Sequence, residues 1–336
     1  MQVTARASAE LDPLPTAVAQ FASLDVAPAP RCFAVAGDTA IWARDRSLVV
    51  ATAHRDPVRL DAPFPVERLE IHPDGQHAMA VGGEGRRLAV YDLGEPALAF
   101  ELGSADAARH SMQAGFARLA GAPLLLAAHK KGELHGYDLA KRAPAFWVNV
   151  AAPLSFRVEA TVALAGDHLA ILGHHFSDTL DTLAIVSTAD LARNPETLET
   201  ALLERTGIRD SAVRLAAGPL GADVVMFRDP ENNEDRDPDD DEPAGELEGF
   251  RGLYLRSLDT GALLGRIDHD AAIQTGARLG GNGRWLAIEC PSRIDLIDRT
   301  TGTVHQLLGD AIALDPHCLR IARAAGARIE LLDLAG

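Results

Sequence analysis

Cysteine is nearly missing from this chain of 336 residues: only Cys32, Cys290 and Cys318 occur, each alone within an apolar stretch. An odd, unclustered set supports neither a disulfide framework nor a thiolate metal site, so all three are expected as reduced core thiols. Long hydrophobic runs are missing too, none approaching the about 18 apolar residues of a membrane-spanning helix. The opening Met1-Gln-Val-Thr-Ala-Arg-Ala-Ser-Ala-Glu lacks the basic start and apolar segment of a secretory signal. A cytoplasmic protein without membrane contact is expected. Positive charge is in deficit, with 32 Lys plus Arg against 48 Asp plus Glu and a net of −16. That balance argues against electrostatic capture of nucleic acid or of an anionic membrane surface.

Signatures of catalysis are also scarce. There is no Gly-x-Ser-x-Gly elbow, no His-Glu-x-x-His and no phosphate-binding glycine loop, and Gly82-Gly83-Glu84-Gly85 reads as a hairpin turn. No cofactor and no metal site are expected.

What is present is apolar and repetitive. Hydrophobic residues make up 47% and charged residues 24% of the chain, a composition that folds. Between Val66 and Gly103 four short alternating stretches follow one another. Val66-Glu-Arg-Leu-Glu-Ile-His-Pro leads to an Asp74-Gly75 turn, and Gln76-His-Ala-Met-Ala-Val leads to the glycine turn at 82–85. Leu88-Ala-Val-Tyr-Asp-Leu and Ala97-Leu-Ala-Phe-Glu-Leu complete an antiparallel set. The third-strand pattern returns as Leu134-His-Gly-Tyr-Asp-Leu, Leu253-Tyr-Leu-Arg-Ser-Leu-Asp-Thr-Gly, Ile294-Asp-Leu-Ile-Asp-Arg-Thr-Thr-Gly and Ile329-Glu-Leu-Leu-Asp-Leu, and more weakly as Leu183-Ala-Ile-Val-Ser-Thr.

A four-strand repeat of roughly 40 to 45 residues marks an all-β propeller, whose blades bury both faces by stacking on their neighbours. The expected architecture is a single seven-bladed β-propeller over 1–336, with blades near 31–63, 66–103, 111–150, 158–204, 211–270, 273–310 and 311–336. The last unit holds only three strands, and the segment at 15–25 is expected to supply the fourth and close the ring.

Leu69-Glu-Ile-His-Pro-Asp-Gly-Gln-His-Ala-Met-Ala-Val resembles the first two strands of WD40 and YVTN blades, and Leu258-Asp-Thr-Gly-Ala-Leu-Leu is similar to the strand-end turn of PQQ-type blades. The resemblance covers nearly the whole length and implies the propeller architecture. No Trp-Asp dipeptide occurs, because Trp42, Trp147 and Trp285 precede Ala, Val and Leu.

Three sets of residues are candidate sites. Asp92, Asp138, Asp298 and Asp333 end third strands, where an aspartate caps a tight turn by accepting backbone N–H groups. Residues 229–249 hold eleven acids and one arginine, an insertion expected to be a disordered acidic loop in the fifth blade, centred on Asp235, Asp237, Asp239, Asp240, Asp241 and Glu242. The turns between second and third strands carry Arg86, Arg87, His129, Lys130, Lys131, His174, His175 and Arg293, which would line one face of a propeller. His174 and His175 stand close to Asp178 and Asp181, yet adjacent strand residues point to opposite faces and do not readily share a metal.

These observations lead to an expected non-catalytic, WD40-like scaffold that binds protein partners in a cytoplasmic complex. The alternative is a lactonase-like or hydrolase-like propeller enzyme, using groups such as His129, His174 and Glu289 at the channel mouth.

Overall fold

The computed structural model describes residues 2–3, 6–10, 17–22, 32–53, 55–72, 74–103, 112–129, 133–149, 156–163, 167–175, 181–193, 212–217, 223–228, 252–257, 263–267, 278–281, 285–290, 293–298, 303–308, 312–315, 320–325 and 328–333. Their strands form seven sheets, in which strands adjacent in sequence are neighbours. The chain divides into two compact units, Arg6–Met112 with Gly276–Gly336, and Met1–Ala5 with Gln113–Thr275.

In the first unit, Cys32–Ala36, Thr39–Arg44, Ser47–Thr52 and Arg55–Asp61 make one antiparallel sheet. Arg68–Ile71, His77–Gly82, Arg87–Asp92 and Ala97–Gly103 make a second. Arg278–Gly281, Trp285–Cys290, Arg293–Asp298 and Thr303–Leu308 make a third. Ile312–Leu314, Arg320–Ala325 and Arg328–Asp333 take Ala17–Ala22 as their fourth strand, the pairing expected of the N-terminal segment.

The 32–61 sheet shows why this unit holds together. The side chains of its first three strands alternate between two faces, and both faces are buried there. Cys32, Ala34, Ile41, Ala43, Leu48 and Val50 pack with Phe64 and with Leu69 and Tyr91 of the 68–103 sheet. Phe33, Val35, Trp42 and Val49 pack with Ala313, Ala322, Ile329 and Leu331 of the 312–333 sheet. Cys32 is a buried free thiol whose S–H donates to the Val66 carbonyl at 3.4 Å. Polar links tie neighbouring sheets at their hairpins: the Gly37 N–H donates to Asp315 Oδ2 at 2.8 Å, and Arg320 pairs with Asp38.

The second unit contains the sheet Met112–Leu119, Ala122–His129, Glu133–Asp138 and Ala143–Asn149. It also contains Ala212–Ala217, Asp223–Arg228, Gly252–Ser257 and Leu263–Ile267. The sheet between them in sequence has three described strands, Phe156–Ala163, His168–His175 and Asp181–Ser187. The chain then turns into a short helix, Thr188–Arg193, where continued alternation would read as a strand connection. Ser187 Oγ accepts the Ala189 N–H at 3.1 Å, the helix buries Leu191, and the Thr188 hydroxyl donates to the Arg118 carbonyl. Residues 194–210, where the expected fourth strand falls, lie outside the described residues, as does the whole acidic insertion at 229–249.

Two strands have no counterpart in the four-strand plan. Gln2–Val3 pairs in parallel with Leu263–Ile267, and Arg6–Glu10 pairs in parallel with Thr303–Leu308.

Turn chemistry fixes the hairpins. In the 68–103 sheet the His-Pro-Asp-Gly segment folds back so that the His72 N–H donates to the His77 carbonyl at 2.8 Å, and Gly75 takes a φ of 68°. The Asp74 carboxylate accepts the Gln76 N–H at 2.7 Å and lies 3.1 Å from His77 Nδ1 and 3.0 Å from Nδ1 of the buried His72. Partial burial opposes its ionisation, but the His72, His77 and Gln76 hydrogen bonds outweigh it and hold the carboxyl far below the usual carboxylate range. A depressed carboxyl stabilises the fold above the ordinary carboxylate pKa, and that contribution fades as pH falls below it. Asp74→Asn should lower the melting temperature at pH 7 and flatten the loss of stability below about pH 4. Parallel acid limbs for the two proteins would show that Asp74 does not anchor this turn.

Tyr91 is fully buried, and its hydroxyl makes no hydrogen bond. Burial pushes the phenol up to about 12, with the Glu101 charge adding to the effect. The neutral phenol therefore favours the fold below its ordinary pKa, and the contribution is lost as pH rises from about 10 towards 12. Because an unmade buried hydroxyl bond costs about 1–3 kcal/mol, Tyr91→Phe should match or exceed the native stability at pH 7. It should also blunt alkaline unfolding, and urea titrations at pH 7 and pH 11 read both effects. A clear loss of stability at pH 7 would contradict the unpartnered hydroxyl.

Candidate interaction surface

Of the residues expected on the second-to-third-strand turns, Arg86 lies on a turn, and Arg87, His129, His174, His175 and Arg293 lie at the ends of strands that such turns join. Arg86 ends the 83–86 turn, where Gly83, Glu84 and Gly85 all have positive φ, and Arg87 opens the next strand. The Glu67 carboxylate accepts the Glu84 N–H at 2.9 and 3.1 Å and pins that turn. Neither arginine presents a bare charge. Arg86 lies 3.3 Å from Glu84, and Arg87 lies 2.5 Å from Glu101 while its guanidinium covers the Phe64 ring at 4.8 Å.

Arg293 opens the third strand of the 278–308 sheet, and its Nε lies 2.9 Å from Oδ1 of the fully buried Asp295. Residues two apart on a strand share a face, so this cation accompanies a buried carboxylate instead of facing water unencumbered. His129 ends the strand Ala122–His129, while Lys130 and Lys131 lie outside the described residues. His174 and His175 are consecutive residues of one strand, opposite Arg157 and Phe156, and His174 is also opposite Asp181. Asp178 and the acidic set from Asp235 to Glu242 lie outside the described residues. Among the described residues, no three His, Cys, Asp or Glu side chains converge in an arrangement fit to hold a metal ion.

Asp138 has the geometry of a turn cap. Its carboxylate takes the Lys141 ammonium at 2.7 Å and the Lys141 backbone N–H at 2.9 Å, and these bonds hold the carboxyl below its ordinary pKa. Asp92 lies 3.9 Å from His77 Nε2, Asp298 is buried, and Asp333 is half-buried.

Trp147 is an exposed residue outside the sets expected from the sequence. It lies on Ala143–Asn149, the last strand in the order of its sheet. Its neighbours Phe146 and Val148 turn inward, with Phe146 so close to Gly136 that a Cβ there would sit 2.4 Å from its ring. Alternation then sends Trp147 outward, 59% exposed, with His135 on the neighbouring strand edge-to-face at 6.3 Å. The strand carries no charged residue, although Pro144 removes one backbone N–H near its start. By contrast, the outer strand Arg55–Asp61 carries four charges, and Ala97–Gly103 carries Glu101. Charges blunt an outer strand against pairing with other chains, whereas an exposed tryptophan presents a large apolar surface. The legible signal was Ala-Pro-Ala-Phe-Trp-Val-Asn read as a period of two.

No family model and no curated protein matches the sequence. Solved structures do. The chain is similar to one in the crystal structure of the mitotic checkpoint complex, at 12% identity over 98% of each chain with a TM-score of 0.56. It is also similar to a chain of Kuenenia stuttgartiensis hydrazine synthase, at 12% identity over 92% of this chain and 96% of that one, with a TM-score of 0.54. At such identities the likeness concerns fold alone. With successive four-stranded antiparallel sheets and almost no helix among the described residues, the architecture is all-β and propeller-like.

Proposed function

We propose that this chain is a non-catalytic platform for protein partners in a cytoplasmic complex, built as a seven-bladed propeller closed by the N-terminal strand. The observation that carries the reading is Trp147, a large aromatic side chain held 59% exposed on an uncharged outer strand. Tryptophan is enriched among residues that dominate binding energy at interfaces, and here its orientation is fixed by its inward-facing neighbours, so little freedom remains to be lost on association. The likeness to a chain of the mitotic checkpoint complex is compatible with this role. On this reading the second-to-third-strand turns, with Arg86, Arg87, His129, Lys130, Lys131, His174, His175 and Arg293, supply a polar face, and the acidic loop at 229–249 modulates it by charge.

Trp147→Ala should leave the melting temperature within a few degrees, because the indole is largely in water, and should lose partners that the native chain captures from its own cell. Turnover of a lactone or ester by the purified chain, abolished by changing His129, His174 or Glu289, would replace the platform with the enzyme reading. Identical partner recovery by both baits would dismiss Trp147 as the contact.

A further inference from the structure

The two parallel strands at the N-terminus point to a peptide-binding edge. Thr303–Leu308 is the fourth strand of its antiparallel sheet, and its outer side is occupied by Arg6–Glu10. That pairing is irregular. Arg6 stands opposite Thr303, the register slips, and Ala9 and Glu10 then stand opposite His305 and Gln306. Among the described residues, three of the strand's six are matched this way. The occupying segment, Arg-Ala-Ser-Ala-Glu, has only small residues between its charged ends, a composition suited to pairing through the main chain. The same mode appears independently in the other unit, where Gln2–Val3 lies parallel to Leu263–Ile267 over two residues.

We infer that the outer edge of Thr303–Leu308 is a β-augmentation site for an extended, small-residue peptide of a partner protein, filled in the free chain by its own residues 6–10. The inference rests on the platform reading and names one kind of partner for it. A tethered segment competes at an effective concentration of about millimolar, which lets even a short, slipped ladder hold the edge when no partner is present. A partner segment free of the slip can pair along all six residues and displace it. Hydrogen bonds to the main chain supply the affinity, and the small side chains let the peptide lie close to the sheet.

The test uses the full chain carrying Ala9→Pro, which removes an N–H from the occupying strand, and a synthetic nine-residue peptide of residues 2–10 as the probe. Amide exchange over 303–308 should quicken by about tenfold or more in the variant, while exchange over 87–92 stays as in the native chain. Adding the peptide should restore protection over 303–308. Its affinity for the native chain should be at least about tenfold weaker, because the tethered segment competes. A peptide with proline in place of its alanine at position 9 should not protect. Unchanged exchange over 303–308 in the variant overturns the inference, as does a peptide that gives no protection at millimolar concentration. If exchange over 87–92 also rises, a Gly-Ser stretch replacing residues 2–10 serves as the variant, with the same two readings. Neither failure touches Trp147, which lies on a different sheet and has its own test.

Discussion

Two-sided burial, seen in the inner strands of the 32–61 sheet, is the constraint from which the rest follows. A sheet with one polar face can end a structure, but a sheet with apolar side chains on both faces has to be covered twice. In the 32–61 sheet the alternation sends Ile41 and Leu48 towards one neighbour and Trp42 and Val49 towards the other. Neither neighbour alone would keep water from both sets. At roughly 25 cal/mol per Å² of apolar area, an uncovered face bearing a tryptophan and several aliphatic side chains would cost several kcal/mol, comparable with the whole stability of a domain. Sheet therefore follows sheet, and the propeller-like order is the consequence.

That constraint also sets where polar chemistry can lie. Several of the described carboxylates lie at hairpin turns and serve the backbone first, whereas the inner strand Arg293–Asp298 buries Asp295 beside Arg293. Asp74 and Asp138 accept N–H groups within their own turns, Asp315 reaches the Gly37 N–H of a neighbouring sheet, and Asp167 accepts the Gly121 N–H. Arg86, Arg87 and Arg293 are each accompanied by a carboxylate. The turns read as a charged face from their residue types are thus largely neutralised locally where they are described.

The outer strand has one edge that no strand of its own sheet covers. Arg55–Asp61 is charged and mostly exposed, Ala143–Asn149 shows a tryptophan, and Thr303–Leu308 is covered by a borrowed segment. These are three treatments of one geometric problem, an unpaired row of backbone donors and acceptors.

Strand alternation, turn residues and repeat spacing are local properties, and they were legible in the chain. Val66 to Gly103 reads as four strands because its apolar residues recur at every second position between glycine and aspartate turns. The pairing of Ala17–Ala22 with Arg328–Asp333 followed from counting three strands in the last unit. Other features depended on distant contacts. Ser187 gave way to a helix because a cap and a buried Leu191 outweighed continued alternation, and the parallel strands at 2–3 and 6–10 alternate little more than valine or alanine with polar residues, too weak an apolar pattern to announce them. The sequence by itself determined the period of the strands, which only nearest neighbours control. The tertiary structure alone decided which sheets cover the two faces of the 32–61 sheet and that Asp315 and Arg320 meet Gly37 and Asp38, because those contacts join residues tens or hundreds of positions apart.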